Sequence, residues 1–230
     1  MSNNNRKIRT INEEQAIIMT GLKFRSFQEY LAARSLFHNN YLDQAVILSN
    51  TCLEKQMKAA MIGANLKIRK IHNTGVLLSD FQKVLPNIAD KLNIKYLKRI
   101  SRIYDTRYFD YNSKGLNYFI SRNHYISELD RSFSLLYKAS KILRPGEDEA
   151  DIKISDAETT IEDFYSNNYI LQNIDRSKLF DGEDVIIATV VLPNFEVISV
   201  IIKGPIDEFY NDFERDGIRV DGNTLHAIMP

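Results

Sequence analysis

The chain has 230 residues, 44% of them hydrophobic, and its 30 basic side chains balance its 30 acidic ones. This length and apolar content are enough for a buried core, which excludes a chain that is disordered throughout. The single cysteine, Cys52, lies in an apolar helical stripe and is expected in the core. Because the chain contains only this cysteine and four scattered histidines, we expect no metal and no cofactor. The sequence has no long apolar run and no secretory signal, which favours a cytoplasmic protein with no membrane partner.

The net charge of zero hides a division of the chain at Arg144. Residues 1–144 contain 24 Lys and Arg against 11 Asp and Glu, and residues 145–230 contain 6 against 19, giving formal charges of +13 and −13. The asymmetry indicates either a nucleic-acid surface with an acidic tail or two solvated surfaces that attract each other. We predict a basic helical bundle over residues 1–145, an acidic linker over 146–163 and a small α+β tail over 164–230.

Capping signals and helical periodicity predict the bundle, taken here in chain order. The string 12–14 starts a short helix that ends near Gly21, and the capping box of residues 26–29 starts a second helix that ends near Phe37. Apolar residues at three- and four-residue steps then predict further helices over residues 41–62, 74–85, 86–108 and 121–143. The predicted fold is mainly α, an up-and-down bundle of four to five helices.

Residues 147–163 are rich in acidic side chains, which is typical of a solvated linker or an interaction segment rather than of a core. Residues 184–192 and 196–203 are rich in Val and Ile and are separated by a Pro-Asn step, which predicts a β-hairpin. Residues 169–174 are predicted to add a third strand. The tail is therefore expected to be a small C-terminal α+β appendage.

Two groups of basic residues in the bundle are candidates for contact with nucleic acid. The first lies in the connector before the third predicted helix, and the second recurs at helical spacing over residues 91–102. The connector group consists of Lys67, Arg69 and Lys70, and the helical group of Lys91, Lys95, Lys98 and Arg102. Tyr96, Tyr108 and Tyr111 are near enough in sequence to offer stacking faces. An ordinary solvated helix would also expose such lysines.

Common catalytic motifs are absent from the chain. The sequence contains no GxxxxGK[ST] phosphate loop, no GxGxxG, no HExxH, no CxxC pair and no GxSxG. Typical kinases, NTPases, dehydrogenases and metalloproteases are thereby excluded.

The bundle resembles the HEPN-domain family over about residues 26–143. The resemblance is carried by an E-K-x-x-K-A pattern at Glu54–Ala59, by the string His72–Leu78 and by a Y-x-x-R-Y-x-D string at Tyr104–Asp110, where Phe109 replaces a proline. It implies a helical bundle that forms a homodimer. In the non-nuclease branch it implies a dimer groove lined by His72, Tyr104, Arg107 and Tyr108. Alternatively, the two tyrosines pack in the bundle and Arg107 pairs with a neighbouring aspartate.

In the ribonuclease branch of this family, an arginine and a histidine that follows it are separated by four to six residues. The bundle lacks this spacing, and only Arg219 and His226 in the tail satisfy it. The leading hypothesis is therefore a binding or regulatory module of a prokaryotic defence or toxin–antitoxin system. The resemblance implies RNA, a nucleotide, a nucleotidyltransferase or another defence protein as its partner.

Two alternatives remain open. A divergent metal-independent ribonuclease would use Arg122, Asn123 and His124 at the start of the last helix, with the histidine as general acid or base. A structural adaptor would dimerise through the bundle and add its hairpin to a partner's sheet.

Overall fold

Helices α1 and α2 form an antiparallel pair against which the other helices pack. The computed structural model describes residues 11–66, 68, 74–105, 117–140, 166–180, 183–191, 197–204, 218–221 and 224–227. The helices are α1 (Glu13–His38), α2 (Leu42–Gly63), α3 (Thr74–Val84), α4 (Pro86–Ala89), α5 (Ile94–Asp105), α6 (Arg122–Ala139) and α7 (Tyr169–Gln172), followed by a 3-10 turn (Arg176–Leu179). Helix α2 contacts α1, α3, α5 and α6, so the predicted bundle of helices is confirmed.

Helix α1 is one continuous helix of 26 residues, where two helices were predicted. Asn12 caps it through a capping box with Gln15. The predicted cap Ser26 lies in the helix interior instead, where it is fully buried and donates a hydrogen bond to the Cys52 carbonyl at 2.9 Å. The prediction of a break near Gly21 and a cap at Ser26 was wrong because packing against α2 outweighs these local signals.

Helix α2 confirms the clearest periodic segment of the sequence. The turn before it lies at Asn39 and Asn40, with Asn40 in the left-handed region at a φ of 62°. The Cys52 side chain is fully buried in the core, as predicted. Burial raises the pKa of this thiol to about 12. Cys52 is therefore inert at neutral pH.

The segment predicted as one helix over residues 86–108 forms two helices, α4 and α5. Pro86 occupies the first turn of α4, as expected from its fixed φ. The chain leaves the helical path between them, and the Asn93 side chain accepts a hydrogen bond from the Tyr96 amide at 3.1 Å, which starts α5. A polar residue that caps a new helix thus ends the continuous periodicity.

The strands are β1 (Asn117–Ser121), β2 (Asp184–Val191), β3 (Val197–Gly204), β4 (Ile218–Asp221) and β5 (Thr224–Ala227). Strands β2 and β3 form the predicted hairpin, with Ile187 opposite Ile201. The third strand predicted over residues 169–174 is wrong, because Asn168 caps the short helix α7 there. The third strand is β1, which pairs with β2 antiparallel and brings Ile120 opposite Ile187. The order is β1-β2-β3, so β2 is the central strand and β1 and β3 are the edges, and β4 and β5 form a separate pair.

Candidate functional site

The basic group on α5 forms a continuous exposed stripe. Lys91 precedes the helix, and Lys95, Lys98 and Arg102 follow on it at three- and four-residue steps; all four side chains are exposed. We call these four residues the α5 stripe. The opposite side of α5 is buried through Leu97, Ile100 and Ile103 among others. The sequence contains no acidic residue between Ile94 and Tyr104, so the charged residues of α5 before Asp105 are all basic.

The aromatic residues predicted to accompany this stripe are not all available. Tyr96 is only 1% exposed and packs edge-on against Tyr125 at 5.5 Å, so its ring cannot stack on a base. Tyr108 and Tyr111 lie outside the described residues. Elsewhere on α5, the Arg99 guanidinium lies 5.8 Å from the centre of the Phe119 ring on β1.

The remaining residues predicted for ligand or nucleic-acid contact fall largely outside the described part. Of the predicted groove, Tyr104 is buried at the end of α5. The other members lie in segments that the structure does not describe. These are His72, Arg107 and Tyr108 of the groove and Lys67, Arg69 and Lys70 of the basic connector.

The charges in the E-K-x-x-K-A pattern on α2 form ion pairs within the bundle. Lys58 contacts Glu54 at 2.6 Å, and both side chains are nearly buried. Lys55 contacts Glu29 of α1 at 2.6 Å. The first pair lies within α2 and the second joins α2 to α1, and together they explain this charge pattern without a ligand.

The start of α6 is bound to the hairpin through Asp184. This buried carboxylate accepts hydrogen bonds from the Ser121 hydroxyl at 2.6 Å and from the Asn123 amide at 3.0 Å. Burial raises the pKa of Asp184, and these hydrogen bonds oppose the rise. A carboxylate at a helix N-terminus also stabilises the helix dipole. Asp184 therefore fixes the first strand of the tail to the bundle.

The three candidate catalytic residues lie in this same contact region. Arg122 donates to the Asn40 side chain at 3.2 Å and to the Glu183 carbonyl at 3.3 Å. The Asn123 side chain donates to the Leu179 carbonyl at 2.9 Å. His124 is partly buried, with its ring 6.5 Å from that of Phe180. The Arg122 and Asn123 side chains thus help to attach the tail to the start of α6 through these hydrogen bonds.

A buried charge cluster joins α1, α6 and the segment after the linker. Arg34 and Asp130 form an ion pair with no exposed side-chain surface. The Tyr30 hydroxyl donates to Asp130 at 2.6 Å and accepts from the Asn168 side chain at 2.9 Å. Burial raises the pKa of Asp130, while Arg34 and Tyr30 act against this rise.

This cluster was not predicted from the sequence. A signal for it exists, because Arg34 continues the apolar stripe of Tyr30 and Phe37, and Asp130 follows the core residue Leu129. A charge at a core position is rarely buried alone, so two such charges of opposite sign indicate a buried pair.

Residues 166–180, which we call the strap, lie between the acidic linker and the hairpin in the chain and pack on α6. Arg34 donates to the Ser166 carbonyl at one end of the strap. Near its other end, Arg176 contacts Glu128 at 2.6 Å and the Ser127 hydroxyl at 2.9 Å.

The acidic linker of residues 146–163 lies outside the described residues, but the residues that flank it are fixed. On one side, Lys23 donates to the Ser140 carbonyl at 3.0 Å, and on the other Arg34 holds Ser166. Both contacts come from α1. The nearest described residues before and after the linker, Ser140 and Ser166, therefore both lie beside α1.

Arg219 and His226, which have the spacing of the nuclease motif, are directly opposite each other in the β4–β5 pair. They lie far along the chain from the bundle. Among the described residues there is no group of three or more potential metal ligands. No helix in the described part has the length and hydropathy needed to cross a bilayer.

A family model, described as HEPN domain, matches residues 21–163, which is more than half of the chain. The matched range covers most of α1 and all of α2 to α6, and it ends within the acidic linker. No curated protein and no solved structure matches the chain.

Proposed function

Because the chain belongs to the HEPN-domain family, we propose that it is a non-catalytic HEPN module that binds RNA through the α5 stripe, as a homodimer in a prokaryotic defence or toxin–antitoxin system. The observation that supports this function is the α5 stripe itself, three exposed cations on α5 and a fourth, Lys91, just before it. A nucleotidyltransferase or another protein of such a system is a further expected partner.

The geometry of the stripe suits a phosphate backbone. Lys95 and Arg102 are seven residues apart on α5, which corresponds to about 10 Å along the helix axis. Each cation that neutralises a phosphate releases counterions, so the affinity should fall steeply with salt. Lysines contact phosphates without reading bases, and the stripe is therefore expected to bind RNA with little sequence preference.

The acidic linker is proposed to compete with RNA for this basic surface. Its two flanking residues, Ser140 and Ser166, are held by Lys23 and Arg34 of α1. Carboxylates confined in this way reach the bundle at a high effective concentration and need no tight contacts of their own. RNA or a partner protein would displace them, which makes the linker a regulator of the module.

Neutralising the linker should raise RNA affinity about tenfold at low salt, and the gain should disappear as salt screens the linker. The test variant carries Glu147→Gln, Asp148→Asn, Glu149→Gln and Asp151→Asn. The matched control has the same charge change in the distal tail, with Asp207→Asn, Glu208→Gln, Asp212→Asn and Glu214→Gln. Fluorescence anisotropy with a single-stranded RNA measures both.

Equal affinities for the two variants would contradict competition by the linker. Removal of residues 146–230 is not a suitable test, because it also deletes Asp184 and Asn168, which cap α6 and complete the buried charge cluster. The full-length chain with a neutralised linker keeps both contacts.

Incubation of the EDTA-treated protein with a mixed RNA pool separates binding from catalysis. We expect a protein–RNA complex and RNA of unchanged size. The geometry favours this outcome over the ribonuclease alternative, because Arg122 and Asn123 already donate to groups of the protein. Cleavage that persists in EDTA and disappears in His124→Ala would instead establish the ribonuclease.

A further inference from the structure

Helix α1 is apolar on both of its sides. One side enters the core through Met19, Tyr30 and Phe37. On the outward side Ile17 is 66% exposed and Phe24 62%, and Ile18 beside them is 46% exposed. These are three of the six large hydrophobic side chains that are exposed in the described part of the chain. Apolar side chains that cluster on the surface of a helix often mark an interaction site, and the described residues leave these three substantially exposed.

Gly21 lies between the exposed side chains of Ile17 and Phe24. A Cβ built on Gly21 meets no atom within 4 Å, so packing within the chain does not require a glycine there. The backbone does not require it either, because Gly21 lies inside the helix. Glycine weakens a helix interior relative to alanine. The close approach of another backbone to this spot would explain why a glycine occupies it.

We propose that the outward side of α1 packs against the same side of a second copy of the chain. We call its residues the α1 stripe: Ile17, Ile18, Gly21 and Phe24. The two helices cross antiparallel at Gly21, where the missing side chains let the backbones approach. Ile17 and Ile18 of one copy then meet Phe24 of the other, and the reverse holds by symmetry, as in any two-fold interface.

The charges that border the α1 stripe favour the antiparallel arrangement. Glu13 and Glu14 occupy the first turn of α1, and Arg25 lies one turn after Gly21. In the antiparallel crossing, Glu14 of each copy comes within reach of Arg25 of the other. A parallel crossing would bring the two acidic first turns together, and like charges repel.

The expectation of a homodimer rests on the proposed function. The new step is the surface through which the two copies meet, the α1 stripe. The match to the family model begins at residue 21, so Ile17 and Ile18 precede it. A single helix pair is smaller than a standard interface, and self-association in the micromolar range is therefore expected.

The test uses a cysteine at the crossing point. Cys52 is fully buried and its pKa is raised to about 12, so the parent chain should not cross-link. In Gly21→Cys, the two new thiols face each other at the crossing. There the two Cα atoms are expected to be about 4.4–6.8 Å apart, the separation that a disulfide needs. In the control Gln28→Cys, an exposed residue two turns later, the thiols are about 20 Å apart in the antiparallel pair.

Mild oxidation without RNA should give a covalent dimer of Gly21→Cys and none of Gln28→Cys. Cross-linking of both variants would indicate a parallel pair and overturn the proposed arrangement. If neither variant cross-links and the parent sediments as a monomer at about 100 µM, no interface exists on this surface. Because RNA is absent, a chain that fails to bind RNA can still pass this test.

Two further variants separate an interface from a structural role of Gly21. Gly21→Leu should raise the melting temperature of the monomer, because leucine favours the helix and has open space around it, yet it should weaken the dimer at least tenfold. Phe24→Glu should dissociate the dimer and leave the circular dichroism spectrum unchanged. A dimer that persists in both variants would overturn the proposal.

Discussion

Replacement of Asp130 by alanine is expected to lower the free energy of unfolding by about 3–5 kcal/mol, the usual effect of breaking a buried ion pair. The variant leaves the Arg34 guanidinium with no exposed surface and without its counterion. It also removes the acceptor of the Tyr30 hydroxyl. Urea unfolding at neutral pH, followed by circular dichroism, measures the loss.

Two controls identify the uncompensated charge as the cause. The double variant Arg34→Met with Asp130→Leu removes both charges and should regain most of the lost stability, because apolar residues of similar volume often replace a buried pair without loss. Asp80→Ala disrupts the contact to Lys83, which is 3.8 Å long and has an exposed lysine, and should cost less than about 1 kcal/mol. A loss of this small size in Asp130→Ala would contradict the assigned role of the pair.

The same variant should loosen the attachment of the strap. Asn168 donates to Tyr30, and Arg34 donates to the Ser166 carbonyl, so the cluster holds the chain immediately after the acidic linker. Amide exchange in Asn168–Gln172 should accelerate in Asp130→Ala more than exchange in α2. The cluster thus couples the stability of the bundle to the position of the linker, which matters if the linker regulates RNA binding.

Periodicity in the sequence was enough to predict α2, α3 and the β2–β3 hairpin, because their residues repeat at the spacing of the element itself. It was not enough at Ser26, whose capping signal is local while its actual partner is the Cys52 carbonyl on another helix. Asn93 shows the opposite case. The apolar periodicity of the sequence continues through the whole segment 86–108, but the polar side chain of Asn93 starts a new helix within it.

The contacts that the sequence did not reveal join residues far apart in the chain. Strand β1 pairs with β2 across more than 60 residues, and its few residues carry no signal of where their partner lies. Arg34 and Asp130 are 96 residues apart, and they meet only because α1 and α6 pack against each other. Of the candidate site, the α5 stripe could be predicted because it depends only on helical spacing.

Reversal of two charges in the α5 stripe, Lys95→Glu with Lys98→Glu, is expected to weaken RNA binding about 10- to 100-fold at low salt. Each lost phosphate contact reduces the slope of log affinity against log salt by about 0.7 for a single strand, so the slope should fall by about 1.4. Both side chains are exposed, and the fold should not change. Titrations at several salt concentrations measure the affinity and the slope.

The matched control reverses two exposed lysines on other helices, Lys83→Glu with Lys138→Glu. Both variants change the net charge equally, so a long-range effect of charge would weaken RNA binding equally in the two proteins. A direct contact at α5 predicts a loss of slope in the α5 variant alone, because only bound phosphates release counterions there. Equal losses with equal slopes would therefore show that RNA responds to the charge of the whole bundle, and the interface would have to be sought away from α5.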